Sequence, residues 1–175
     1  MGWKKVLLDG DVAGGLIVKA LAADQSNSTV TLTKVTGLDQ AMGVGTWKFQ
    51  YLLRYQAAAI TTGIRLDVNH SGTVTTFLWW QRCVDTSATA STNAPDQDQI
   101  IAAGGVMSAM ASRAKGTAGR GTTISVDTAN ADMLMIIEGL AVVTVAGDIQ
   151  LYHGSEVAAQ STIKKDSSLI LTKIA

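Results

Sequence analysis

The sequence predicts an all-β protein: an antiparallel two-sheet sandwich of jelly-roll type, with an extended N-terminal arm. Three observations predict it. The chain has 175 residues, 47% of them hydrophobic and 16% charged, which is too apolar for disorder and long enough for one core. Its 17 glycines against a single proline punctuate turns without making a collagen-like or Pro-rich polymer. Apolar residues recur with period two along several segments bounded by turn residues. The expected division is an arm or docking segment over residues 1–28 and a sandwich domain over 29–175.

Within the arm, Val6-Leu7-Leu8 and Leu16-Ile17-Val18 are short apolar patches separated by Gly10, Gly14 and Gly15. They are too small for a core but suffice to add a strand to a neighbouring surface. The alternative, that the segment supplies the first strands of the sandwich itself, stays open. A strand over Thr29 to Val35 follows. From Thr46 to Gln56 the odd positions Trp47, Phe49, Tyr51, Leu53 and Tyr55 alternate with Lys48, Gln50, Arg54 and Gln56, predicting one dry face and one wet face.

Ile64, Leu66, Val68 and His70 share the next apolar parity, and Ser71-Gly72 reads as a hairpin turn into Thr73 to Trp80. Apolar residues on both parities from Phe77 to Trp80 predict that both faces are covered there. Of Trp79 and Trp80, one must face the core and the other a subunit contact. Asp85 to Gln99 reads as a long loop, Ile100 to Ala114 as two short strands joined at Gly104-Gly105, and Lys115 to Gly121 as a basic turn. A short strand over Thr122 to Val126, a polar bend over Asp127 to Asp132 and a long strand over Met133 to Val145 come next. Ala146-Gly147-Asp148 reads as a second hairpin turn, into a strand on which Ile149, Leu151 and His153 share one face. The last strand is Leu169 to Ile174, after the turn Asp166-Ser167-Ser168. Eight to ten strands are expected.

Composition also excludes function classes. With 14 Lys+Arg and 14 Asp+Glu the net charge is zero, so no electrostatic footprint for nucleic acid or a membrane surface is expected. One cysteine, Cys83, allows no intramolecular disulfide and no cysteine cluster for zinc, and is expected to be inert within a strand. Asp9 and Asp11 interrupt the opening apolar stretch before signal-peptide length, and Met133 to Ala146 is shorter than the roughly 20 residues of a membrane-spanning helix.

No catalytic constellation stands out. The two histidines, His70 and His153, with Asp67 and Glu156, suggest a cupin-like metal site on a jelly roll. Such a site wants a His-x-His pair on one strand, which is absent, so hydrogen-bonded histidines at the sandwich rim are the plainer reading. The stretch Lys115 to Thr122 lacks the Gly-Lys-Ser/Thr ending of a phosphate loop. Glu138 and Glu156 are the only glutamates, which leaves no evident acid pair for glycosidase chemistry. No enzyme activity, metal or cofactor is expected. Trp79, Trp80 or Tyr152 could stack on a sugar ring.

The opening Trp3-Lys4-Lys5-Val6-Leu7-Leu8-Asp9-Gly10-Asp11 resembles the start of many tailed-phage virion structural proteins. The body resembles phage and prophage structural proteins in the same order of segments: Gly45 to Tyr51, Thr61 to Ile64, Val68 to Thr73, Val126 to Asp132, Glu138-Gly139, Ser155 to Ala158 and Ser168 to Lys173. The likeness is weakest from Ala13 to Thr33.

The resemblance implies a virion component, assembled in the bacterial host cytoplasm. The version expected is a capsid decoration (cement) protein that binds the outer surface of the head as a homo-oligomer, a trimer. Its partners would be the major capsid protein and other virion subunits, without nucleic acid or membrane. The alternative is a tail, head-fibre or spike component with a carbohydrate-binding jelly roll. Trp3, Val6, Leu7, Leu8, Leu16 and Ile17 are the candidates for arm docking, and Trp79 and Trp80 for subunit contact.

Overall fold

A computed structural model describes residues 15–60, 62–84, 122–124 and 129–175. They form two antiparallel sheets packed as a sandwich. In chain order the strands are β1 (Ile17–Ala20), β2 (Gln25–Asn27), β3 (Thr33–Lys34), β4 (Gln40–Met42), β5 (Gly45–Ala57), β6 (Ile64–His70), β7 (Thr73–Val84), β8 (Thr122–Ile124), β9 (Met133–Val145), β10 (Gly147–Ser155), β11 (Ser161–Ile163) and β12 (Ser168–Lys173). Among the described residues no helix is long and apolar enough to cross a membrane.

The 13-residue β5 is the hub of the seven-stranded sheet. It pairs with β9 along one edge, and β9 with β7 beyond it; its other edge pairs with β12 and then β11, which carry β1 and β2 outside them. Every odd residue from Trp47 to Ala57 is buried and none of the even ones is, as the alternation predicts. In the smaller, five-stranded sheet β10 is central, flanked by β6 and then β8 on one side and by β3 and β4 on the other.

Neither expected hairpin exists. β6 pairs with β10 in one sheet, whereas β7 pairs with β9 in the other. Ser71-Gly72 and Ala146-Gly147 are therefore corners at which two neighbouring strands leave one sheet together and enter the second. The corners interlock: Ser71 N donates to Asp148 O at 2.9 Å, and Asp148 N donates to Ser71 Oγ at 2.8 Å. A Cβ on Gly147 would lie 2.1 Å from Gly72 N, and one on Gly72 would lie 2.2 Å from Val145 O. Only glycines allow the two backbones to cross this closely. A register shift between Thr73 and Thr76 completes the bend.

The N-terminal segment also differs from expectation in part. From Ile17 onward it pairs inside the chain, Ile17 opposite Leu171 and Asn27 opposite Ser161. The strand expected over Thr29 to Val35 contracts to β3. Asn27 interrupts it: its Nδ2 donates to Thr31 O, Thr33 Oγ1 and His153 O, while its Oδ1 accepts from Thr29 N. The segments Asp85 to Gln99, Ile100 to Ala114 and Lys115 to Gly121 lie outside the described residues.

The core lies between the sheets. Phe49 stacks on Phe77 with ring centroids 5.5 Å apart and meets Tyr51 edge-on at 6.4 Å. Gly139 makes this possible, since a Cβ there would lie 2.2 Å from Phe49 Cζ. Burial holds the Tyr51 phenol well above its usual pKa of 10, and its hydroxyl donates to Leu38 O at 3.3 Å. Opposite these rings stand Ile64, Leu66, Val68, Ile149 and Leu151 of the smaller sheet, all buried.

Candidate functional site

The outer face of the seven-stranded sheet departs from the usual apolar-in, polar-out pattern. On β5 the outward positions include Lys48, Gln50, Arg54 and Gln56, as a wet face requires. The neighbouring β9 instead places Leu134, Ile136, Leu140 and Val142 outward, none of them buried. On β7 the outward residues include Leu78, 47% exposed, and the half-buried Trp80. Register brings Leu78, Leu140 and Lys48 into one row across the sheet, and Trp80, Glu138, Gln50 and Ile170 into the next.

These rows enclose a groove of about 460 Å³, with Lys48, Leu78, Trp80, Glu138, Leu140 and Ile174 on its sides and Trp79 and Gly139 at its floor. Its two charged residues are Lys48 and Glu138. Glu138 Oε1 accepts from Gln50 Nε2 at 2.5 Å. A groove this apolar suits another apolar surface better than a polar small molecule, whose hydroxyls need several donors and acceptors.

The sequence candidates fall as follows. Trp79 is 2% exposed and belongs to the core, and Trp80 faces outward. The pair thus splits as strand parity demands, and of the two it is Trp80 whose ring lies on the outer face. Tyr152 lies in β10 on the other sheet, its hydroxyl donating to Gln150 Oε1 at 3.0 Å, so no shared platform with Trp80 forms. Leu16 is exposed and Ile17 packs against the core at the β1 edge. Trp3, Val6, Leu7 and Leu8 lie outside the described residues. Leu78, Leu140 and Ile174 were not singled out by sequence. For Leu140 the signal was apolar character on both parities of Met133 to Val145, which reads simply as a strongly β-forming run; for Leu78 it was the same character from Phe77 to Trp80, and Ile174 closes the last expected strand.

The histidines are not at the rim. His70 is 0% and His153 2% exposed, both on the inner face of the smaller sheet. His70 stands opposite Ile149, four residues from His153 along β10, or roughly 13 Å at strand spacing. Glu156 is used elsewhere, accepting from Gly63 N at 3.0 Å. Among the described residues no three His, Cys, Asp or Glu side chains gather as a metal site would need. Neither ring nitrogen of His153 has a hydrogen-bond partner among the described residues, and burial pulls the imidazole down to about 4.

A second, smaller hollow of about 160 Å³ lies where β2, β11 and β5 meet, and it is polar. Ser26 Oγ and Thr162 Oγ1 share a hydrogen bond at 2.8 Å, and Gln160 Nε2 donates to Ser26 Oγ. The hydrogen bond from Lys164 and a second from the Lys165 backbone amide hold the Asp24 carboxyl below its usual range. These groups satisfy one another and staple the short strands.

Compared with family models, with curated proteins and with solved structures, the chain matches none.

Proposed function

We propose that this chain is a structural subunit of a phage-type particle: a jelly-roll decoration protein that binds the outer surface of the head as a homo-oligomer and stabilises it. The observation that carries the reading is the apolar groove on the outer face of the larger sheet, a surface that serves a protein made to pack against other protein. The resemblance at Trp3 to Asp11 and along the body supplies the virion context. The interlocked corners, which carry paired strands from one sheet to the other, support the jelly-roll form.

The mechanism is mechanical. Copies cover junctions between capsid subunits, and the apolar area buried across many copies raises the barrier to rupture. The N-terminal residues Trp3, Val6, Leu7 and Leu8 are assigned to docking on the neighbour, together with Leu16, which is exposed next to β1. The alternative, a glycan-binding tail, fibre or spike component, would rest on Trp80 alone.

The test is addition of purified protein to heads that lack it, read by co-sedimentation and by the temperature at which the heads release DNA. Saturable binding with a raised release temperature is expected, lost when residues 1–14 are deleted. Heads that neither bind the full chain nor gain stability from it would sink the proposal.

A further inference from the structure

The groove carries one cation and one anion that do not satisfy each other. Lys48 on β5 stands opposite Leu140, and Glu138 on β9 stands opposite Gln50 and Trp80. They are one strand and two residues apart, roughly 8 Å between Cα positions at standard sheet spacings. Glu138 takes the Gln50 amide. The exposed Lys48 ammonium has no hydrogen bond or ion pair with any described residue. A partner surface of one sign would satisfy one of these charges and bury the other unpaired, which is costly. A self-complementary contact satisfies both at once, because about a two-fold axis residue i meets j and j meets i.

We infer that the groove is filled by a second copy of this chain, the two outer faces apposed about a two-fold axis with each Lys48 against the other copy's Glu138. This rests on the reading of the groove as a subunit contact and names its occupant. The zero net charge of the chain leaves no overall repulsion between copies. The axis that exchanges Lys48 with Glu138 runs diagonally across the strands, close to Leu140 and Leu78. Each leucine then meets its own counterpart, as does Gln50 at the other end of the contact, with the two ion pairs on either side of the axis between Leu140 and Gln50. Trp80 lands to the side of that axis, between the other copy's Thr46 and Val142. The resemblance suggested a trimer; this contact builds an assembly of even order.

The test uses the full chain and charge reversal. Light scattering should give a dimer or a higher even oligomer for the wild type. Lys48→Glu alone and Glu138→Lys alone should each weaken self-association on the order of a hundredfold, since each places like charges together. Mixed one to one, the two variants should associate with each other, because every contact then joins opposite charges. Circular dichroism confirms that each variant folds; if Glu138→Lys does not, Leu140→Asp replaces it and should break the wild-type assembly. A monomer, as expected if a different partner or another part of this chain takes the groove, overturns the inference. So does a trimer, or variants that self-associate like the wild type. Heads distinguish this from the functional reading: a monomer or trimer that still binds them sinks only the dimer, and a dimer that does not sinks only the decoration role.

Discussion

The two faces of the seven-stranded sheet are both rich in apolar side chains, but among the described residues only one of them is covered by the second sheet. On the inner face Trp47, Phe49, Tyr51, Leu53 and Tyr55 meet the smaller sheet and are buried. On the outer face Leu78, Leu134, Leu140 and Ile174 meet no second sheet among the described residues and remain exposed. Burying a large aliphatic side chain stabilises by about 1.5–3 kcal/mol, and leaving it in water contributes nothing of the kind. Folding of one copy therefore accounts for the inner face, whereas the outer face gains only when a second surface covers it. The same residue type is thus buried in the core on one parity of β7 and β9 and left exposed among the described residues on the other.

The sharpest way to break that comparison is to truncate one residue on the inner face. Phe49→Ala removes a ring that stacks on Phe77 and fills the space left open by Gly139. A loss of about 3–5 kcal/mol in unfolding free energy is expected from urea denaturation. A loss under about 1 kcal/mol would mean that the inner face is no better packed than the outer.

Acid probes the same interior. His153 is buried without a hydrogen-bond partner among the described residues, and its folded-state pKa is depressed to about 4 from 6.5. Above pH 6.5 the imidazole is neutral in both states and no stability is lost. As pH falls from 6.5 towards 4 the unfolded chain binds the proton and the folded one does not, so stability declines by up to roughly 3 kcal/mol. Denaturation midpoints measured across that window should show the decline, and His153→Leu should flatten it. An unchanged profile in the variant would place the pH dependence elsewhere.

The corners give the next smaller effect. Gly147→Ala sets a methyl group 2.1 Å from a backbone nitrogen, and the crossing strands must part to admit it. A destabilisation of about 1–3 kcal/mol is expected, while Gly43→Ala, which meets nothing within 4 Å, serves as the control in the same assay.

These corners also show where the sequence stops being legible. The alternation of Thr46 to Gln56 is read easily because β5 is long and buried on one face only. Ser71-Gly72 and Ala146-Gly147 carry the residues of hairpin turns, but the same residues serve a corner between sheets. The choice is made by pairing with a strand some 80 positions away, Leu66 with His153 and Thr73 with Val145, which no local window contains. β2 and β11, Gln25-Ser26-Asn27 and Ser161-Thr162-Ile163, escaped notice for a different reason. Their pairing is reinforced by the Ser26–Thr162 side-chain hydrogen bond, and they have no apolar period to detect. The face occupied by His70 and His153 could be read from parity, because they share it with Leu66, Val68, Ile149 and Leu151. Their depth could not, since it depends on the second sheet. The groove was half legible: a tryptophan pair in one strand must split, and Leu78 shares the outward parity of Trp80, but Leu140 and Glu138 come from β9 and become their neighbours only through register.

The smallest effect on stability is also the one that separates the two faces most directly. Leu140 points outward and is 36% exposed, so Leu140→Ser should change the unfolding free energy of a single copy by no more than about 0.5 kcal/mol. The difference should lie in how stability depends on concentration. If the outer face associates, wild-type denaturation midpoints rise with protein concentration, because assembly draws on the folded form alone. In Leu140→Ser the midpoint should stay constant over the same range. Should the variant instead lose several kcal/mol at every concentration, Leu140 would belong to the packed interior, and the division of this sheet into a folding face and an assembly face would fail.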